Sequence, residues 1–471
     1  MSFDRIFRSS LLMGGASVIT MFTALLRGKV VALLLGPAGV GMMGVLNQLT
    51  TVLTQICGFG LGSSAVKFVS AADASERDTR VNIVHNLGYK LSVFGGGITL
   101  IIALPVCFVT FGSLESLPLV MIAGLSVPLG IISMALGSLL QTQGDMKAVA
   151  RTQIMSAVAA FLIGVPLIWL GGVWGLALSV VISSACPLWI MGRQLKFRSF
   201  TWRGIMAPQD SHGPLIKMGL SLIGTTIIAQ LAAYASRIIV VHQLGIDSGG
   251  YYQAAFSIAG TIPGFIFSAM STDFYPRVSG AKTENEALDI TDRQIKAGII
   301  MAAPFFIGLV LFGKQLLGLF YTSQFWGAQD ILLWMIWGVA CRLVSWPLGY
   351  WLLARSSPRQ LFWLESIGAL TVTALTLILV PFFGLAGAGI AFGAGALIYG
   401  LIMIIYIHRK HGRGISAQSY CYAGLAISAM GVAQYGVMRQ CEKSTAVLIL
   451  LASSILFGLL YLKTSRDERH A

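Results

Sequence analysis

Apolar residues occur along this chain in long runs, which short polar or glycine- and proline-containing segments interrupt. An α-helix needs about 20 consecutive apolar residues to cross the hydrocarbon core of a membrane. The runs of roughly that length are 11–35, 40–69, 86–111, 118–140, 150–170, 173–192, 214–244, 251–275, 296–319, 330–353, 361–381, 385–407, 419–438 and 445–462. The pattern therefore predicts an all-α integral membrane protein with about 14 transmembrane helices.

The composition agrees with this pattern. Hydrophobic residues make up 56% of the 471 residues and charged residues 11%, whereas a soluble domain contains roughly 25% charged residues. A soluble fold of this length needs a polar exterior, and so few charges cannot build one. The composition excludes soluble enzymes, coiled coils and disordered chains.

The Lys and Arg residues alternate between the two sides of the predicted spans. With the N-terminus in the cytoplasm, 25 of the 32 lie in or beside cytoplasmic segments, 3 in outer loops and 4 inside spans. Cytoplasmic loops collect Lys and Arg, and one missed span would exchange the sides of all later loops. The distribution predicts that both termini are cytoplasmic, and it explains the net charge of +14 without a nucleic-acid partner.

The ends of the first and seventh spans resemble each other. Gly36 and Gly41 follow the first span as Gly245 and Gly250 follow the seventh, at an offset of 209 residues. This similarity indicates an internal repeat of six spans, and chance similarity between apolar helices is the alternative explanation. Six is an even number, so both repeats would enter the membrane from the same side.

Each of these two spans also carries an arginine at nearly the same depth, Arg27 in the first and Arg237 in the seventh. We therefore expect two six-helix lobes, 1–205 and 206–412, related by a pseudo-two-fold axis along the membrane normal. Residues 413–471 would add two helices and a short basic tail. Transporters often form a central cavity between two such lobes.

Four cations lie well inside the predicted spans, namely Arg27, Lys29, Arg237 and Arg342. A central Arg or Lys that faces lipid costs about 2.5–3.5 kcal/mol. These side chains are therefore expected to face a polar interior or to be paired. For Lys29 and Arg27, extension of the side chain to the outer interface is the alternative.

Few acidic residues can compensate this positive charge. Of the 18 acids, only Asp273 and Glu365 fall near span interiors, and both lie near cytoplasmic ends. Excess positive charge attracts an anion, and arginine binds phosphate or pyrophosphate through two parallel hydrogen bonds. The sequence thus predicts a cationic cavity for an anionic ligand.

Polar and aromatic residues share helix faces with these cations and are expected to line the same cavity. Such stripes suit a hydrated site for sugars, and the interfacial aromatic belt is the alternative for the rings. The candidates are Asn47, Gln230, Tyr234, Trp346 and Tyr350.

Four further residues are candidates for a gate or for coupling to protons or Na⁺. Asp273 and Arg277 are four residues apart, which favours an ion pair on one helix. Glu365 is the other acid near a span interior, and His242 lies near the outer end of the seventh span. A histidine there could titrate during transport, although an ordinary hydrogen-bonded histidine is the simpler reading.

The sequence contains no pattern that indicates catalysis. The six cysteines form no metal-binding spacing, and there is no nucleotide-binding loop or nucleophile–base constellation. The outer loops are mostly shorter than about twelve residues, which favours transport over chemistry. We expect neither a metal, a cofactor nor a disulfide, and we expect the chain not to be an enzyme.

Several short motifs follow one another in a characteristic order. They are GPAGVG at 36–41, followed by Gln48 and Gly60, KFV at 67–69, GYYQ at 250–253, DFYPR at 273–277 and GYWLLAR at 349–355, with Glu365 downstream. Through these motifs, residues 10–410 resemble the O-antigen and enterobacterial common antigen flippases. These form the Wzx-type branch of the multidrug/oligosaccharidyl-lipid/polysaccharide exporter superfamily.

The resemblance implies a V-shaped, two-lobed transporter with cationic cavity residues, which map by position onto Arg27, Lys29, Arg237 and Arg342. It would move undecaprenyl-pyrophosphate-linked oligosaccharide across the bacterial inner membrane for O-antigen and lipopolysaccharide biosynthesis. Its partners would be this substrate, membrane lipids and other polysaccharide assembly proteins. Because one chain already supplies both predicted lobes, we expect a monomer. The two extra C-terminal helices depart from the twelve-span pattern and look more like the lipid II flippases.

Three alternatives stay open at this stage. A multidrug/cation antiporter of the same superfamily would need buried acids, which are scarce here. A lipid II-type flippase would share the cationic cavity but carry another glycan. A polysaccharide polymerase or a membrane scaffold would belong to a different functional class.

Overall fold

The computed structural model describes residues 3–73, 75–195, 213–355, 358–412, 414–439 and 443–470. Within these ranges the chain is helical and contains no strand. The helices are α1 (Phe3–Cys57), α2 (Leu61–Ser70), α3 (Arg77–Phe111), α4 (Leu117–Gly124), α5 (Ser126–Thr142), α6 (Met146–Gln194), α7 (Gly213–Leu244), α8 (Ile246–Gly280), α9 (Glu284–Phe320), α10 (Gln329–Arg355), α11 (Pro358–His411), α12 (Ala417–Met438) and α13 (Lys443–His470). A 3₁₀ turn at Ser323–Ala328 precedes α10.

Ten helical segments of the described chain are long and apolar enough to cross a membrane. The chain is therefore an all-helical, multi-pass membrane protein, as the apolar runs predicted. The orientation of the termini and the number of fourteen spans stay predictions.

Three of the helices are much longer than one membrane crossing. Helices α1, α6 and α11 contain 55, 49 and 54 residues, and each has one glycine with non-helical backbone angles inside it. These glycines are Gly36, Gly172 and Gly384, with φ between 54° and 63°. Each kink falls between two predicted spans. Each of these glycines therefore separates two helices that meet at a sharp kink, at a break that the sequence predicted.

The predicted span 40–69 is not one continuous helix. Helix α1 ends at Cys57, and α2 begins at Leu61 after Gly60, whose φ is +69°. A left-handed conformation of this kind costs glycine little, because glycine has no Cβ. The carbonyl oxygen of Gly219 lies only 2.6 Å from where a Cβ on Gly60 would be. The chain breaks where α7 approaches it.

The chain divides into two compact units, Met1–Gln253 and Ala254–Ala471. The predicted lobes 1–205 and 206–412 were inferred from sequence similarity, and their limits stay a prediction.

In the first unit, α1 packs against α6, α5 and α7. Its core contains fully buried side chains such as Leu46, Leu61, Ile131 and Leu136. The first turn of α8 also approaches α1 closely, because the carbonyl oxygen of Pro37 lies 2.0 Å from where a Cβ on Gly250 would be. Glycine at this position lets the two backbones meet, and it brings the residues after Gly250 to the middle of α1.

In the second unit, α9 packs against α10, α12 and α13, and α10 packs against α11. The side chain of Asp292 on α9 fixes the start of α12. It accepts hydrogen bonds from the Ser416 amide at 2.9 Å and the Ser419 hydroxyl at 2.6 Å, and it pairs with Lys296 at 3.2 Å. Helix α12 is thus held against α9 by a polar contact as well as by apolar packing.

Candidate functional site

Arg27 lies half-buried on α1 and points its guanidinium at α6. Nη1 donates to the hydroxyl of Ser183 at 2.6 Å, and Nη2 donates to the hydroxyl of Ser179 at 2.7 Å. Within the described ranges no carboxylate forms an ion pair with Arg27, and its buried Nε has no hydrogen-bond partner. Neutral oxygens therefore hold this cation, so its positive charge is not cancelled locally.

Arg237 on α7 is almost completely buried, with 3% of its surface exposed. Nη1 donates to the carbonyl oxygen of Gly44 at 3.1 Å and to Oε1 of Gln48 at 3.2 Å. Nη2 donates to Oε1 of Gln253 at 2.7 Å, and the guanidinium lies 5.8 Å from the centre of the Tyr252 ring. This arginine connects α1, α7 and α8 of the first unit.

The predicted neighbours of Arg237 belong to the same polar cluster. Gln48 donates through Nε2 to Oε1 of Gln230 at 2.9 Å. Tyr234 is buried, with its hydroxyl 3.5 Å from that of Thr110. Asn47 is half-buried on the neighbouring turn of α1. Gln230 and Tyr234, which the sequence places on the same face of α7 as Arg237, lie in this cluster. Gln48 and Gln253 hydrogen-bond Arg237, but the sequence analysis identified them only as motif residues and not as partners of the cation.

Arg342 on α10 is exposed, and it makes no hydrogen bond or ion pair with any described residue. It does interact electrostatically with the phenol of Tyr399 on α11. That phenol donates to Oε1 of Glu365 at 2.7 Å. The structure thus brings a predicted cavity cation and a predicted coupling acid to the same tyrosine, which the sequence analysis did not identify.

Trp346 and Tyr350 form part of an aromatic cluster in the second unit. Their ring centres are 4.5 Å apart. Trp346 also contacts the Phe267 and Phe274 rings at 5.6 and 6.1 Å, and Tyr350 contacts the Tyr275 ring at 5.7 Å. The two predicted rings therefore share a face of α10, where they pack against α8.

The remaining candidates occupy varied positions. Lys29 is half-buried on α1, and His242 is exposed near the end of α7. Arg277 is exposed near the end of α8. Asp273 lies on the same helix, but its side chain is outside the described residues, so the predicted Asp273–Arg277 pair stays a prediction.

A cavity of about 720 Å³ opens in the first unit, at the ends of α3, α5 and α6. Polar side chains line much of it, among them Arg77, Asp78, Asn82, His85 and Gln143. None of the predicted ligand-binding residues borders this cavity. The cation sites described above are separate from it.

Comparisons with known proteins show related sequences and related folds. Residues 6–282, more than half of the chain, match the family model described as "Polysaccharide biosynthesis protein". The lipid III flippases of Escherichia coli (strain K12) and Shigella flexneri are each 25% identical to the chain over 411 residues. The alignment covers 83% of this chain and 95% of each relative.

Solved transporters share the fold. The lipid II flippase MurJ, in an inward closed conformation, superimposes with a TM-score of 0.77 at 15% identity, covering 97% of this chain and 99% of its own. An inward-facing multidrug resistance MATE family transporter gives a TM-score of 0.70 at 14% identity, covering 85% and 98%. At these identities the likeness shows the fold alone.

Proposed function

Because the chain belongs to the polysaccharide biosynthesis protein family, we propose that it is a flippase for lipid-linked oligosaccharide in the bacterial inner membrane. Its cargo is an undecaprenyl-pyrophosphate-linked, O-antigen-like repeat unit. The pyrophosphate and the glycan cross through a cationic cavity by alternating access, while the polyprenyl chain stays in lipid. The protein acts as a transporter and not as an enzyme.

The observation that carries this proposal is the way in which Arg27 is held. Its guanidinium lies between two helices that are apolar enough to span the membrane, and two serine hydroxyls contact it. Each uncompensated arginine in such a place is expensive, so a transporter of neutral cargo gains nothing from it. A pyrophosphate that passes through the membrane supplies the missing negative charge.

The curated relatives support a lipid-linked cargo, since both are named lipid III flippases. An O-antigen-like unit, an enterobacterial common antigen unit and lipid II share the polyprenyl pyrophosphate and differ in the glycan. The aromatic cluster around Trp346 and Tyr350 offers flat apolar faces on which sugar rings can stack. We assign that cluster to the glycan and the cations to the pyrophosphate.

We propose fourteen spans with both termini in the cytoplasm. The ten membrane-length segments include the kinked α1, α6 and α11 once each, although each is long enough for two crossings. Helix α8, with 35 residues, supplies one more. The ten segments, a second crossing by each of α1, α6 and α11, and one crossing by α8 together give fourteen.

A two-lobe repeat also belongs to this proposal. Gly172 in α6 and Gly384 in α11 have nearly the same backbone angles, φ 54° and ψ −126° against φ 56° and ψ −135°. Three residues after Gly172, the carbonyl oxygen of Leu167 lies 1.8 Å from where a Cβ on Gly175 would be. Three residues after Gly384, the carbonyl oxygen of Leu379 lies 2.4 Å from where a Cβ on Gly387 would be. The same bend in the last hairpin of each lobe is what a duplicated six-helix unit would give.

The Glu365–Tyr399 pair is our proposed coupling site. Glu365 is a half-buried carboxylate with a phenol donor at 2.7 Å and the Arg342 cation nearby. A coupling cation that binds at this carboxylate would alter the attraction between α10 and α11. Arg342 would then respond both to the cargo and to the coupling ion.

The experiment that tests the proposed function is flipping in proteoliposomes. Labelled undecaprenyl-pyrophosphate oligosaccharide is placed in one leaflet, and its exposure to a membrane-impermeant glycan-cleaving enzyme is followed with and without a proton or sodium gradient. We expect the protein to accelerate exposure at least tenfold over empty liposomes, and we expect Glu365→Gln to remove the response to the gradient. Equal rates with and without protein would contradict the proposal.

A multidrug/cation antiporter is the second candidate, since the MATE family transporter shares the fold. It would export organic cations in the same proteoliposomes and leave the lipid-linked glycan in its starting leaflet. Cation export without glycan flipping would replace our proposal by this one.

A further inference from the structure

The two serines that hold Arg27 have a geometry that sets the charge of the site. Ser179 and Ser183 are four residues apart on α6 and therefore lie on one face of the helix. The Ser179 hydroxyl donates to the carbonyl of Leu176 at 2.7 Å, and the Ser183 hydroxyl donates to the carbonyl of Ser179 at 2.8 Å. Each hydroxyl proton is thus used on the backbone of its own helix.

With their protons engaged, both hydroxyl oxygens present lone pairs to Arg27. They accept one hydrogen bond from each terminal nitrogen of the guanidinium, at 2.6 and 2.7 Å. Ser179 is completely buried and Ser183 is half-buried. The pair therefore fixes the orientation of the guanidinium without adding any negative charge.

A carboxylate in the same place would do the opposite. It would bind the guanidinium more strongly than a hydroxyl does, and it would cancel the positive charge that an anionic ligand needs. A phosphate has to displace or share the acceptors that already hold an arginine, and neutral hydroxyls are easier to displace than a carboxylate. Arg237 differs, because three oxygens from α1 and α8 engage its buried guanidinium.

We propose that Ser179 and Ser183 are positioning residues that hold Arg27 as an uncompensated, exchangeable anion receptor for the pyrophosphate of the cargo. This inference rests on the proposed function and deepens it. It states that, in the first unit, Arg27 recognises the negative charge of the ligand while its two serine partners on α6 hold it in place. The serines act through the arginine and do not themselves select the anion.

The test compares two variants that place side chains of the same size beside Arg27, of which only one is charged. Ser183→Asp and Ser183→Asn have nearly the same volume, and both offer an oxygen to Arg27, but only the aspartate neutralises it. The probe is undecaprenyl pyrophosphate in detergent micelles, with undecaprenol as the uncharged reference. The measured quantity is the ratio of the two Kd values for each purified, folded variant.

We expect Ser183→Asp to lower the preference for the pyrophosphate at least tenfold relative to Ser183→Asn, which corresponds to about 1.4 kcal/mol. We expect its Tm to be no lower than that of Ser183→Asn, because Asp gains an ion pair with Arg27. A purely structural role of the serines would move the Tm but not the ratio of affinities. Equal ratios for the two variants would overturn the inference.

Two further outcomes separate this inference from the proposed function. If the unsubstituted protein shows no preference for undecaprenyl pyrophosphate over undecaprenol, the proposed function itself fails. If Ser183→Asp does not fold, Ser183→Ala decides the matter, because it removes one acceptor without adding bulk or charge. We expect Ser183→Ala to weaken the preference about threefold, and an unchanged preference would overturn the inference.

Discussion

At the scale of single residues, the arginines inside the membrane helices fall into distinct environments. Arg237 is buried and donates to three oxygens, Arg27 is half-buried against two hydroxyls, and Arg342 is exposed. A buried guanidinium that bridges three helices contributes mainly to stability, since its removal leaves buried acceptors without a donor. An exposed guanidinium contributes mainly to the binding of ligands that approach it from outside the protein.

This contrast gives a prediction for the same substitution at two positions. Arg237→Gln is expected to lower the free energy of unfolding by roughly 1–3 kcal/mol, because Gly44, Gln48 and Gln253 lose their charged donor. Arg342→Gln is expected to change it by less than about 0.5 kcal/mol. The measurement is the Tm of each variant in detergent. A lower Tm for Arg342→Gln than for Arg237→Gln would contradict this assignment.

At the scale of helices, glycines set how closely α8 approaches α1. The space where Gly250 would carry a Cβ is occupied by the backbone of Pro37, and the Gly41 position is blocked in the same way by the carbonyl of Ile246 at 2.2 Å. Neither obstacle is a side chain that can turn aside. The two glycines therefore permit the approach that places Gln253 beside Arg237.

The matched test of this close helix contact makes the same Gly→Ala substitution at two positions of α8. Gly250→Ala is expected to destabilise the protein by about 1–3 kcal/mol through overpacking. Gly260→Ala, at a position on α8 where no described atom lies within 4 Å of the added carbon, is expected to be neutral or stabilising by up to about 1 kcal/mol. Thermal unfolding of the two variants checks this. Equal Tm values would show that α8 does not need glycine at its first turn.

The sequence predicted an all-helical membrane protein because the signal of apolar helices is local. Runs of about 20 apolar residues and the breaks at Gly36, Gly172 and Gly384 can be seen without knowledge of any tertiary contact. The sequence did not show that the two helices meet directly at each of these glycines, since a glycine in a loop and a glycine at a kink give the same pattern. It also missed the end of α1 at Cys57, which reflects the approach of α7 at Gly219.

The candidate site was predictable only in part for a similar physical reason. An arginine within an apolar run is conspicuous, so Arg27, Arg237 and Arg342 could be found from the sequence. Their hydrogen-bond partners lie far away along the chain, in sequence segments that show no distinctive pattern. Ser179 is 152 residues from Arg27, and a serine in an apolar helix is common, so only the folded structure identifies it.

At the scale of the whole molecule, the chain is a multi-pass membrane protein of the polysaccharide biosynthesis protein family, and we propose that the cations within its spans receive an anionic cargo. The first unit contributes Arg27 with its two serines, and the second contributes Arg342 with the Glu365–Tyr399 pair. Each unit thus contains an arginine inside a predicted span that the proposed pathway uses.

The most direct test of this claim measures flipping of labelled undecaprenyl-pyrophosphate oligosaccharide by proteoliposomes that contain Arg27→Ala, Arg342→Ala or Arg342→Lys. We predict that each alanine variant, correctly folded by its Tm, loses at least tenfold in rate. Arg342→Lys, which keeps the charge, is predicted to retain more of the rate than Arg342→Ala. Folded alanine variants that flip the substrate as fast as the unsubstituted protein would contradict the cationic pathway.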